Sequence, residues 1–163
     1  MESSPRETVC KYLDDRSIPY HRKDHQPITT VAEGKLIAEE QGAVCCKTLL
    51  LKSKKGFFLL MLPADKRLVS KELASKLGSG HLSFADADDL KAKLNTFPGA
   101  VSPMGLIFNQ EKDVQLLIDQ EITEAAYIDC HPCTNDCSLK ISVKDLTDRF
   151  FPSLGVTPIV VTL

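Results

Sequence analysis

Val44-Cys-Cys-Lys-Thr-Leu-Leu-Leu-Lys52, the turn Ser53-Lys-Lys-Gly56 and the run Phe57-Phe-Leu-Leu-Met61 decide how this chain folds. Two apolar runs around a short polar turn ending in glycine form a β-hairpin pattern. Leu49-Leu-Leu51 and Phe57 to Met61 are nearly continuous rather than alternating. A strand that is apolar on both sides of its pleat is covered on both faces. The hairpin is therefore expected at the centre of a sheet.

Upstream, Ser4 with Pro5 behind it opens a helix to about Arg16, with Val9, Tyr12 and Leu13 on one face. Ile18 to Lys23 is expected as a strand. Thr30-Val-Ala-Glu33 is a capping box, and its helix runs to about Glu40, before Gly42. Downstream, Ser70 opens a short helix ending at Gly78, and His81 to Phe84 is a short strand. Asp86 to Asn95 is a helix with acids at its start, as the helix dipole favours. Strands are expected at Gly105 to Phe108 and Val114 to Ile118, joined by a polar turn from Asn109 to Asp113. Tyr127 to Cys130 and Leu139 to Ser142 are further strands. Ser142 caps a helix to about Phe151, and Val156 to Leu163 closes the fold. Hairpins mixed with single helices define an α+β class with a mixed sheet.

The bulk numbers agree with one domain over residues 1–163. The chain is 43% hydrophobic and 26% charged, ordinary for a globular protein. It has no repeat, low-complexity tract or linker. Without Trp and with 6% aromatics, its core must be aliphatic. No apolar run approaches the roughly 18 residues of a membrane span, and the polar N-terminus has no signal-peptide character. A cytoplasmic protein is expected, with its six cysteines as thiols. Net charge is −2, but eight basic and only two acidic residues fall between Lys47 and Lys76. That stretch is either a site for an anionic partner or a solvated lysine-rich surface.

Three features have chemical potential. Lys47 interrupts an apolar strand, so it either opens into a cleft, where it can hold a phosphate or carbonyl oxygen, or faces solvent across the pleat. Gly99-Ala-Val-Ser-Pro103 is a short-side-chain loop whose free N–H groups could face an oxyanion, or an ordinary helix-to-strand turn. Cys130-His-Pro-Cys-Thr-Asn-Asp-Cys137 has the residue types of a zinc site. However, Cys130 and His131 are adjacent and point opposite ways in a strand, and no second Cys-x-x-Cys completes a set. No P-loop, no dinucleotide fingerprint and no Ser-His-Asp order is present, so no cofactor and no metal is expected.

These features resemble the bacterial YbaK and prolyl-tRNA-synthetase editing-domain family, most closely its free-standing alanyl-type editors. Five stretches match in family order over about residues 20 to 160: Cys46-Lys-Thr-Leu-Leu-Leu-Lys52, Leu62-Pro-Ala-Asp-Lys-Arg-Leu68, Leu82-Ser-Phe-Ala85, Pro98-Gly-Ala-Val-Ser-Pro-Met-Gly-Leu106 and His131-Pro-Cys-Thr-Asn135. The resemblance implies a curved mixed sheet flanked by helices. It also implies hydrolysis of the ester between tRNA for proline and a wrong amino acid, alanine in this group. Lys47 matches the family's essential strand lysine. Gly99, Ser102 and Pro103 fall in the GxxxP loop at the scissile ester. His131 and Asn135 fall in the HPxxN motif that shapes the amino-acid pocket. Met104 and Gly105 follow the loop as expected substrate contacts, with Met104 in place of a more usual aromatic.

With no synthetase domain, such a protein acts in trans. Its expected partners are mischarged tRNA for proline, held at the acceptor stem by Lys52, Lys54, Lys55, Lys66 and Arg67, and prolyl-tRNA synthetase. Three alternatives stay open: a deacylase for cysteinyl-tRNA, a zinc- or thiol-dependent hydrolase using residues 130–137, and a non-catalytic tRNA- or synthetase-binding module.

Overall fold

In the computed structural model, which describes residues 4–163, each early helix starts on the cap its sequence supplies. α1 (Pro5–Asp15) begins at Ser4, whose hydroxyl accepts the Glu7 N–H. After β1 (His21–Asp24), α2 (Val31–Gln41) starts on Thr30, whose hydroxyl accepts the Glu33 N–H, and stops at Gly42, φ +70°. β2 (Val44–Ser53) and β3 (Gly56–Pro63) form the hairpin. α3 (Ser70–Leu77) follows, with Val69 rather than Ser70 at the cap position and no side-chain cap bond. β4 is only Ser83–Phe84. α4 (Ala87–Leu94) is held by a reciprocal capping box between Asp86 and Asp89.

The expected strand at Gly105 to Phe108 is instead a 3₁₀ turn, Pro103–Phe108. The Ser102 hydroxyl accepts the Met104 N–H, and proline suits the first position of a helical turn. A strand continues at β5 (Val114–Asp119), and the short α5 (Gln120–Thr123), a single turn too brief to show a helical period, is capped by Asp119. β6 (Tyr127–Cys130) and β7 (Cys137–Ser142) come next. Ser142 caps α6 (Val143–Asp145), which passes through a π turn, Leu146–Phe150, into α7 (Phe151–Ser153). β8 is Ile159–Val161, shorter than the Val156 to Leu163 expected. β1 likewise lies later than expected: Ile18 is a buried core residue before the strand rather than part of it.

The sheet runs β1-β7-β6-β2-β3-β5-β8, with β4 also on β2. Pairing is mixed: β2–β3, β6–β7 and β1–β7 are antiparallel, while β2–β6, β3–β5 and β5–β8 are parallel. The hairpin is central and covered on both faces. Leu59 and Met61 join one core with Leu13, Leu94 and Phe150, while Leu60 and Leu62 join another with Leu51 and Leu73. Each such buried leucine contributes about 2 kcal/mol over leaving it in water. No helix among the described residues is long and apolar enough to cross a membrane.

One detail of this topology makes the site. Along its edge away from β3, β2 has two different neighbours. β6 pairs with it at Val44 and Cys45, and β4 pairs with it at Leu51 and Lys52. Between them, residues 46–50 face no strand, and a slot opens in the middle of the sheet.

Candidate active site

The slot widens into a cavity of about 630 Å³. β2 forms its floor from Cys45 to Leu50. Its walls are residues 28–31 and Gly34, Phe84 and Ala85, Leu90, the loop residues Pro98, Gly99 and Val101, and His131 with Asn135. Lys47, Gly99, His131 and Asn135, four of the residues singled out in the sequence, therefore meet in one place.

Lys47 reaches the cavity because of its neighbours on the pleat. Cys45, Lys47 and Leu49 share a face. Over Cys45 lies α2, close enough that a Cβ on Gly34 would be in ordinary contact with the Cys45 sulfur at 3.7 Å. Leu49 is packed against the core under α3. Half-buried between these two covers, Lys47 donates from Nζ to the Lys66 carbonyl at 2.7 Å. None of the residues lining the cavity is acidic. The ammonium rests on a neutral dipole and can take up an anion or a developing oxyanion.

The Gly99 loop is positioned by a threonine that no sequence motif marks. Buried Thr96 directs its hydroxyl to the Ala100 carbonyl at 2.9 Å and lies 3.3 Å from the Cys133 carbonyl. It thus clasps the GxxxP loop to the HPxxN loop. Gly99 has φ +95°, and a Cβ there would meet nothing within 4 Å. Its backbone conformation requires glycine, and the space beside it is open.

On the facing wall, His131 has Nδ1 2.9 Å from the Cys137 carbonyl. That bond makes Nδ1 the donor and leaves Nε2 as an acceptor. Burial holds its pKa below the usual histidine value, which favours the uncharged ring. Asn135 is stitched to Ile28 in both directions: its carbonyl accepts the Ile28 N–H at 2.8 Å, and its Nδ2 donates to the Ile28 carbonyl at 3.4 Å. Asn135 therefore fixes the wall that Ile28 and Thr29 form.

The structure places the other expected site residues elsewhere. Ser102, Pro103, Met104 and Gly105 are buried and do not line the cavity. Ser102 caps the 3₁₀ turn, Met104 lies in the main core, and Gly105 abuts α4, where a Cβ would fall 2.8 Å from that of Leu94. Cys133, at φ +67°, is buried in that core too. Ile28, Leu50, Leu90 and Val101 are among the apolar side chains that do line the cavity.

Among the described residues, no three His, Cys, Asp or Glu groups converge as a metal site. Burial pushes the Cys133 and Cys137 thiols up to about 12 and raises Cys130 as well, the opposite of what a nucleophilic thiol needs.

The basic stretch divides. Lys66, expected at the tRNA, is paired with buried Asp119, 2.8 Å away, and with Glu121 at 3.4 Å. Lys52 pairs with Asp89 at 3.1 Å, and Lys55 donates to the Gly78 carbonyl at 2.6 Å. Lys54 and Arg67 are exposed, with no ion pair among the described residues.

The aminoacyl-tRNA editing domain model matches residues 25–149, and the chain belongs to that family. It is 30% identical over 148 residues to the prolyl-tRNA editing protein ProX of Acetoanaerobium sticklandii, covering 90% of each chain. It is 32% identical over 160 residues to the prolyl-tRNA synthetase associated domain-containing protein 1 of Danio rerio, covering 96% of this chain and 86% of that one. A solved structure described provisionally as a trans-editing enzyme for prolyl-tRNA synthetase superposes with a TM-score of 0.74 at 16% identity, covering 100% of this chain and 99% of that one. At that identity the likeness carries the fold alone.

Proposed function

We propose that this protein is a free-standing aminoacyl-tRNA deacylase that removes alanine from tRNA for proline. Its place in the editing-domain family supports the reaction class, and the ProX relative supports tRNA for proline. The observation that carries the reading is Lys47: one ammonium, with no carboxylate partner among the described residues, in the floor of a cavity rimmed by Gly99 and His131.

The reaction needs little machinery, because an aminoacyl ester is already activated. Held against the Gly99 loop, the ester carbonyl is attacked by water. The tetrahedral oxyanion is stabilised by Lys47 and loop N–H groups. The C–O bond to the ribose then breaks, the ribose oxygen takes the proton, and free amino acid and tRNA leave. No side chain has to act as a strong base if the adjacent ribose hydroxyl relays that proton. The apolar walls Ile28, Leu50, Leu90 and Val101 suit a small uncharged side chain. They exclude larger ones better than they separate alanine from cysteine or serine. Lys54, Lys55 and Arg67 are assigned to the acceptor-stem phosphates, prolyl-tRNA synthetase is the second partner, and the cytoplasm is the place of action.

The test is a deacylation panel of alanyl-, cysteinyl-, seryl- and prolyl-tRNA for proline with wild type and Lys47→Ala. Fastest turnover of the alanyl ester, lost in the variant, is the expected result. Full activity in Lys47→Ala would remove the assignment of Lys47, and preference for the cysteinyl ester would remove alanine.

A further inference from the structure

At the cavity mouth, a large aromatic ring stands in water, with no aromatic or cationic partner among the described residues. Phe84 lines the cavity and is 62% exposed, while Leu82, two residues earlier, is 3% exposed in the core beneath α3. The position is not loose. Phe84 pairs with Leu51 across β4–β2, and the next residue, Ala85, donates its N–H to the Leu50 carbonyl at 2.9 Å. A firmly held strand thus presents its largest apolar side chain to solvent at the rim of the site.

From this geometry we infer that Phe84 is the stacking platform for the terminal adenine of the tRNA, an inference that rests on the deacylase reading above. Antiparallel partners share a face of the sheet. Phe84 is opposite Leu51, and Leu51 shares its face with Lys47. The ring and the ammonium therefore stand on one side of the sheet, four residues apart along β2, roughly 13 Å at 3.3 Å per residue. Both residues line the cavity, so the gap between them is of the order of one nucleoside. With the base on Phe84, the sugar of the last nucleotide lies over residues 47–50, and its ester falls between Lys47 and Gly99.

The chemistry suits the ligand. Every tRNA ends in adenosine, so this subsite needs a flat apolar face and no base-specific hydrogen bonds, and stacking on an aromatic ring supplies that. The lack of acids among the lining residues keeps the approach open to a nucleotide's phosphate. Exposed Val31 adds apolar surface to the same cavity lining.

The test uses uncharged tRNA for proline whose terminal adenosine is replaced by 2-aminopurine riboside, a base whose fluorescence is quenched by stacking. Wild type is expected to quench it on binding. Phe84→Ala is expected to bind without that quenching and to raise KM for alanyl-tRNA about tenfold, with kcat little changed. Phe84→Tyr is expected to restore both. Because the ring is exposed, the alanine variant keeps its fold. Equal quenching or an equal KM in Phe84→Ala overturns the platform, as does wild type that binds without quenching. Wild type that quenches but deacylates nothing leaves the platform standing and overturns the deacylase reading instead.

Discussion

Lys47 is the residue on which rate should depend and stability should not. Its ammonium makes one bond to a backbone carbonyl and is only half-buried. Lys47→Ala is expected to lower kcat/KM about a hundredfold, the scale of a lost oxyanion donor. Urea unfolding should place its stability within about 1 kcal/mol of wild type. Asp129 behaves oppositely. It lies beside Cys45 on the neighbouring strand, accepts from Gln41 at 2.9 Å, and burial raises its pKa to about 7. Its folded pKa is above the unfolded one, so the folded state holds the proton more tightly. Stability from this group is therefore full below about pH 4, falls as pH rises and levels off above about 7. Melts of wild type at pH 5 and pH 8 should show a loss of a few kcal/mol, about 1.4 for each pH unit crossed. Asp129→Asn should flatten the difference, since its amide oxygen still accepts from Gln41. At this scale the sequence was readable where a residue broke a pattern, as Lys47 does within an apolar strand. Thr96 and Phe84 broke none: a threonine after a helix and a phenylalanine in a short strand are ordinary until the partner loops are seen.

Elements were legible where local chemistry is self-contained. Ser4, Thr30 and Ser142 cap their helices as expected, and Gly42 and Gly78 end theirs in the left-handed conformation. The failure at Gly105 is instructive. Met104, Leu106, Ile107 and Phe108 have strand-like character, but the Ser102 cap and Pro103 wind the segment into a 3₁₀ turn. Glycine is at 105 because the turn lies directly on α4. Gly105→Ala should push the two apart and cost about 1–3 kcal/mol by urea unfolding. Activity per folded molecule should fall only as far as the Gly99 loop shifts with it. Neither contact could be read from spacing, because Leu94 and Gly105 are brought together by the turn itself.

Over the whole molecule, charge and topology divide the work. A net charge of −2 makes general attraction to nucleic acid weak, so tRNA should be held by a few exposed cations. Replacing Lys54 and Arg67 together with Ala should raise KM for alanyl-tRNA and reduce the salt slope of log(kcat/KM) by about two. A slope unchanged from wild type would place the tRNA on another face. The strand order was not legible in advance, since nothing local says that β2 takes β6 at one end and β4 at the other. That same arrangement bears on solubility. Bare strand edges invite other chains to add a strand, and proteins guard them. Here the outer edges are β1, whose four residues His21, Arg22, Lys23 and Asp24 are all polar, and β8, only three residues long. The slot is a third edge, inside the sheet, but closed at both ends by paired strands. A foreign β-strand cannot slide along it into an aggregate, whereas a compact ligand can enter from above. The protein can thus keep backbone exposed for recognition without becoming a template for fibrils.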